Sequence, residues 1–233
     1  MSVLLLRLAG PMQSWGSSSR FATRRTEIAP TKSGVIGMLA AARGIRRTEP
    51  ITELLGLSFG VRLDQPGQII RDFQTARTLD GGASAPLTYR FYIADAVFLA
   101  AVEGDRELLL GLDEALHRPR FPLYLGRRSC PPSSKISLGV QEQSLDDALD
   151  AWPWLAADWY RKKAPYNVRL EIIRDARPAD KVTETFADEP VSFDPAHRQY
   201  AWRSVVRRHQ DVANELADRR GSRPHDPLSL LGA

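Results

Sequence analysis

The chain has 233 residues, 43% of them hydrophobic, 26% charged and 8% aromatic, and a formal net charge of +4. That balance excludes a disordered tail, a collagen-like rod and a coiled coil, and the length suits one large domain or two small ones. No run reaches the roughly 20 apolar residues of a membrane span, and Met1–Leu8 is too short for a secretory segment, so a cytoplasmic protein with no membrane partner is expected. The single cysteine, Cys130, excludes an intrachain disulfide framework and a multi-cysteine zinc site.

Val3–Leu8 reads as a first strand, apolar on both faces except at Arg7. Ala9-Gly10-Pro11 breaks it, and residues 10–30 show no periodicity, which predicts a long loop. Thr31 or Ser33 caps a helix with Val35, Met38, Leu39 and Ala42 on one face, and Gly44 ends it. Ile51–Leu57 reads as a short helix and Phe59–Leu63 as a strand. Gln68–Thr78 and Leu87–Ile93 are strand-like arms around Leu79-Asp80-Gly81-Gly82, a hairpin signal. Both arms carry polar residues on each face, so the hairpin is expected to project from the body. Ala96–Glu103 is a buried strand. Asp105 caps a helix with Leu108, Leu109, Leu112 and Leu116 on one face, and Pro119 stops it. Ile136–Val140 is a further strand. This order gives an α+β fold, a ferredoxin-like βαββαβ domain over 1–145 with an inserted hairpin at about 66–94. Val168–Ile173 and Gln199–Val206 look like strands of a smaller β-rich region over 146–220, which would form a second sheet, and 221–233 reads as a tail.

Charge is unevenly placed. Residues 1–48 carry eight basic residues against Glu27 alone, and residues 117–139 carry five and no acid, in an otherwise acidic background. Two separated positive segments predict one basic surface assembled by folding, suited to a phosphate backbone. Arginine outnumbers lysine 27 to five. Arginine grips phosphate bidentately and stacks on bases, although Arg-rich codon usage gives the same ratio.

P-loop, dinucleotide, zinc-protease and EF-hand signatures are absent. Gly34-Val35-Ile36-Gly37 has the spacing of a KH loop, but it lies inside a helical pattern, where close helix packing is the better reading. His117 beside Arg118 and Arg120 offers a general base and a cation for metal-independent RNA cleavage; it also suits a helix C-terminus. Leu125-Gly126-Arg127-Arg128-Ser129-Cys130-Pro131-Pro132 can hold guanidinium groups and amides around a phosphate, or be a solvated loop. Phe121 and Tyr124 beside it can stack on bases or pack in the core. Trp15, between small residues of Gly10–Gly16, can stack on a base, anchor a partner or plug the core. Lys32 and the amides around Ser33 form a ready anion site.

GPMQSWG at 10–16, PTKSGVIGML at 30–39 and RPRFPLYLGRRSCPP at 118–132, in that order and spacing, resemble the CasD family of Cascade, the type I-E CRISPR surveillance complex. RDFQT at 71–75 and TYRFYIADAVF at 88–98 resemble the family's hairpin region. The likeness covers about residues 1–140 and is diffuse beyond 145. It implies a RAMP fold with a hairpin thumb. It also implies a non-catalytic subunit that binds the 5′ repeat-derived handle of the CRISPR RNA and caps one end of the backbone. The partners implied are CasC, CasA and, through the complex, target DNA. No cofactor or metal is expected. The phosphate candidates are then Arg24, Arg25, Lys32, Arg127 and Arg128, with Ser33, Arg120 and Ser129 beside them. Met12, Gln13 and Trp15 are candidates for reading or stacking handle bases, and Arg71 and Arg90 would meet the guide from the thumb. A related subtype uses its equivalent subunit as the processing ribonuclease, which keeps an endoribonuclease centred on His117 as the alternative. A third reading is binding to duplex DNA alone.

Overall fold

In the computed structural model, which describes residues 1–16, 23–80, 82 and 84–217, the elements run in chain order as follows. The first part is β1 (Ser2–Ala9), β2 (Met12–Gln13), β3 (Thr23–Arg24), α1 (Lys32–Arg43), a 3-10 turn (Thr52–Leu54), β4 (Ser58–Gln65), β5 (Gln68–Gln74), β6 (Thr88–Ala94), β7 (Val97–Gly104), α2 (Arg106–His117) and β8 (Ser137–Gln141). The remainder is α3 (Leu145–Ala151), α4 (Asp158–Arg161), β9 (Asn167–Asp175), β10 (Glu184–Ser192) and β11 (Gln199–Ala213). The tail read at 221–233 lies outside the described residues, as does His225.

β1 is apolar without alternation because it is covered on both faces. Leu4, Leu6 and Leu8 join the core under α1 and α2. Val3 and Leu5 join a second core under α3. Seven strands form one sheet in the order β10-β11-β9-β4-β7-β1-β8. Its central part, β4-β7-β1-β8, is antiparallel throughout. With α1 and α2 it follows the chain order β-α-β-β-α-β. The predicted helix signals hold. The Thr31 hydroxyl accepts the Gly34 N–H at 3.2 Å, Gly44 ends α1 in the left-handed region at φ +85°, and Asp105 accepts the Leu108 N–H at 3.0 Å.

The segment after residue 146 does not build a second sheet. β9 pairs with β4, so β9, β11 and β10 extend the existing one. β10 escaped the sequence reading because it is an acid-bearing edge strand. Its Pro190 removes a backbone donor, which an edge tolerates.

The hairpin leaves the main sheet at Pro66-Gly67. Gly67 has φ +71°, and a Cβ there would lie 2.4 Å from the Ala94 carbonyl oxygen. β5 and β6 pair from Gln68↔Ala94 to Gln74↔Thr88. The expected loop over 10–30 is partly a sheet margin. On the free edge of β6, β2 pairs antiparallel at Met12↔Ala94 and β3 pairs parallel at Thr23↔Tyr89. Strands of two residues are too short to show a period. Among the described residues, no helix is long and apolar enough to cross a membrane.

A buried charge pair on β4 binds α3 and the segment after it to the sheet. The Arg62 guanidinium and the Asp64 carboxylate form a two-pronged pair at 2.7 and 2.9 Å, with both side chains fully buried. Arg62 also donates to the carbonyls of Leu149, Trp152 and Pro153, and Asp64 accepts the Leu155 N–H. Burial pushes the Asp64 carboxyl above its ordinary range against the opposing pull of Arg62. Asp64→Ala would leave the guanidinium buried and uncompensated. It should cost about 3–5 kcal/mol of unfolding free energy in chemical denaturation.

On the α3 face, Arg174 joins Asp146 at 2.8 Å and Asp180 at 2.6 Å. Its hydrogen bond, helped by the Arg177 N–H, lowers the Asp180 carboxyl to about 2. A carboxyl depressed in the folded state contributes stability above its unfolded value of about 3.9, lost as pH falls through the folded one. The clamp should therefore weaken between about pH 4 and pH 2. Side-chain NMR titration of Asp180 should give a midpoint near the lower end, returning towards the upper in Arg174→Ala.

Candidate nucleic-acid interface

The three sequence blocks meet around Trp15. Its side chain is fully buried, and its indole N–H donates to Gln13 Oε1 at 3.0 Å. Gln13 is likewise fully buried, and its amide donates to the carbonyls of Leu8 at 3.1 Å and Ala96 at 2.9 Å. The Trp15 ring lies against Gly34 in the first turn of α1, where a Cβ would be 2.8 Å away. The third block docks through Gly126. Ser14 N–H donates to Leu125 O at 3.1 Å, and a Cβ on Gly126, at φ +84°, would fall 1.8 Å from Ser14 O.

These contacts correct part of the expected site. Gln13 and Trp15 are fully buried with their polar groups satisfied inside the protein, so both have a structural task, and Trp15 lies at the floor of the cleft on which the arginines converge. Met12 is half-buried and packs against the core. Lys32 is buried, with its ammonium 3.0 Å from Asp175 and 2.8 Å from Glu189. Its backbone N–H donates to Asp188 at 2.8 Å, so the anion at the start of α1 is the protein's own carboxylate. Arg203 completes that network at 2.6 Å from Asp188 and 2.7 Å from Asp175. Lys32 is thus neutralised, and Ser33 beside it is buried at the cleft margin.

Seven arginines converge on an open cleft of about 2140 Å³. Arg24 enters it from β3 and Arg25 from just beyond, Arg127 and Arg128 from the second basic loop, and Arg46 and Arg47 from the segment after α1. Arg198 enters from the β10–β11 connection. No Asp or Glu appears among its described lining residues. Phe121, Tyr124, Phe193 and Tyr200 add aromatic surface, and Arg47 donates to the Tyr124 hydroxyl at 3.2 Å. Arginines interleaved with aromatic rings, with no carboxylate among the described lining residues, suit a single-stranded polyanion whose bases have exposed faces.

Arg127 has a further task. It donates to the carbonyls of Phe91 at 3.1 Å, Arg24 at 2.9 Å and Arg25 at 3.2 Å, and it lies 4.8 Å from the Tyr92 ring centroid. It pins the hairpin, β3 and the second loop together. Arg128 and Ser129 are exposed, whereas burial raises the Cys130 thiol. Arg71, 5.4 Å from the Tyr89 ring centroid, and Arg90 lie on the hairpin. Arg120 does not join the cleft; it lines a small hollow with Arg43 and Arg118. His117 sits in the last turn of α2, its Nδ1 2.9 Å from the Asp113 carbonyl oxygen, and is not among the cleft's lining residues. Arg46 and Arg47 belong to the first basic segment but carry no motif that marks them as ligands. Arg198 and Tyr200 carried no local signal.

The sequence and the fold have known counterparts. A family model described as CRISPR-associated protein (Cas5) matches residues 3–206. The chain belongs to that family. It is 33% identical to CRISPR system Cascade subunit CasD of Escherichia coli strain K12, over 80% of this chain and 92% of that protein. It is similar to a chain of a structure titled CRISPR RNA-guided surveillance complex, with a TM-score of 0.74 and 34% identity over 92% of each chain. A second structure, titled Crystal structure of Cas protein, gives a TM-score of 0.70 and 37% identity over 92% of this chain and 97% of that one.

Gly126→Ala tests the junction of the blocks, because it adds both a strained φ and a clash with Ser14 O. It should lower stability by more than about 1 kcal/mol, read by thermal or chemical unfolding.

Proposed function

We propose that this chain is a CasD-like subunit of Cascade that holds the 5′ repeat-derived handle of the CRISPR RNA in the arginine cleft and does not cut it. The observation that carries the reading is the cleft itself: seven arginines and several aromatic rings, with no carboxylate among the described lining residues. Arg24, Arg25, Arg46, Arg47 and Arg128 serve as phosphate contacts. Arg127 helps to shape the cleft. The βαββαβ unit is read as the ferredoxin-like body of a RAMP protein and the β5–β6 hairpin as its thumb, with Arg71 and Arg90 near the guide. The subunit caps one end of the backbone beside CasC and CasA, and meets target DNA through the assembled complex in antiviral defence. The endoribonuclease reading gains no support from the position of His117, which hydrogen-bonds within its own helix turn.

The test is binding of repeat-containing RNA with EDTA present, run on native and denaturing gels. The RNA should shift and stay intact. Arg128→Ala should lower the magnitude of the slope of log K against log salt by about 0.7 and leave the melting temperature unchanged. Discrete cleavage abolished by His117→Ala would overturn the non-catalytic reading. Equal preference for duplex DNA of the same charge would overturn the handle.

A further inference from the structure

The cleft has a wall from the C-terminal third, where no motif stands out. Phe193, Arg198, Gln199 and Tyr200, from the β10–β11 connection and the start of β11, all line it. That connection is held in place. The Phe193 ring sits 3.4 Å from where a Cβ on Gly37 of α1 would be. Asp194 accepts the Ala196 N–H at 2.8 Å through its carboxylate and the His197 N–H at 3.1 Å through its carbonyl. Tyr200 is fixed in the ladder across from Pro190. β10 is tied to the start of α1 by the Lys32–Glu189 ion pair and by the hydrogen bond from the Lys32 N–H to Asp188, and β11 is tied to β10 by the Arg203–Asp188 ion pair. Arg198 is exposed and, among the described residues, has no carboxylate within ion-pair distance.

We infer that Arg198 and Tyr200 form a second contact wall for single-stranded RNA, Arg198 pairing with a backbone phosphate and Tyr200 stacking on a base. The inference rests on the cleft being an RNA seat. It adds that the C-terminal strands bind RNA directly instead of only buttressing the fold. A solvated turn would need neither the Phe193 anchor nor a neighbouring aromatic in the same cleft. An arginine beside a tyrosine supplies the charge and the π-face that single-strand binding combines.

The experiment measures affinity of the full chain for a single-stranded RNA carrying the handle across a salt series. The variants are Arg198→Ala, Arg198→Lys, Tyr200→Ala and Tyr200→Phe, with Arg128→Ala and Trp202→Ala for comparison. Trp202 is 73% exposed on β11 and lies outside the cleft lining. Arg198→Ala should lower the salt slope by about 0.7, and Arg198→Lys should restore it. Tyr200→Ala should weaken binding about 5- to 150-fold, and Tyr200→Phe should retain it. Trp202→Ala should match the unaltered protein. If Arg128→Ala lowers the slope while the Arg198 and Tyr200 variants behave as unaltered protein, the second wall is wrong and the cleft reading stands. If the unaltered protein does not bind the RNA, or Arg128→Ala changes nothing either, both fall. Equal weakening by Trp202→Ala would show a general effect on β11 and also overturn the assignment.

Discussion

The Trp15 ring reaches the first turn of α1 only because residue 34 has no side chain. That contact fixes the relation of three segments that are remote in sequence. Trp15 is held by Gln13, which is held by the carbonyls of β1 and of the turn into β7. Ser14, between them, receives the second basic loop at Gly126. The basic residues of both loops are therefore set by a buried, uncharged scaffold. The backbones that carry the cleft arginines are thus fixed, and Arg128 among them is exposed, the arrangement that a preorganised anion site requires.

The protein separates two kinds of positive charge. Lys32, Arg62, Arg174 and Arg203 are wholly or largely buried, and each has a carboxylate within 3.0 Å. Lys32, Arg174 and Arg203 neutralise the acids that join β9, β10 and β11 to one another and to α1 and α3, and Arg62 neutralises Asp64 on β4. The cleft arginines have few such partners. Breaking a buried pair strands a charge and costs several kcal/mol, whereas an exposed guanidinium facing solvent costs little. Substitutions in the two sets should thus divide between those that disturb folding and those that disturb binding.

The sequence exposes features whose causes are local. The uninterrupted apolar run of β1 signals burial on two faces, and Thr31, Gly44 and Asp105 mark helix ends by their own chemistry. The hairpin is signalled in the sequence by Asp-Gly-Gly between two strand-like arms, and the two acid-poor segments foretell the cleft. What is hidden depends on distant partners. Lys32 looks like a phosphate ligand until Asp175 arrives from a strand 143 residues away. Trp15 looks available because its cover, Gly34, lies on a helix beyond a loop. β10 has the composition of a solvated segment because half of it is one, and Arg198 gains its setting only when that strand is paired.

β6 gives one of its edges to β5 and the other to β2 and β3, and Arg127 ties its Phe91 carbonyl to those of Arg24 and Arg25. The hairpin base and the cleft rim are consequently one mechanical part. A load on the projecting arm would be transmitted through the β6 ladder to the arginines at its foot. A displacement of the arm and a displacement of the cleft rim are thereby one movement.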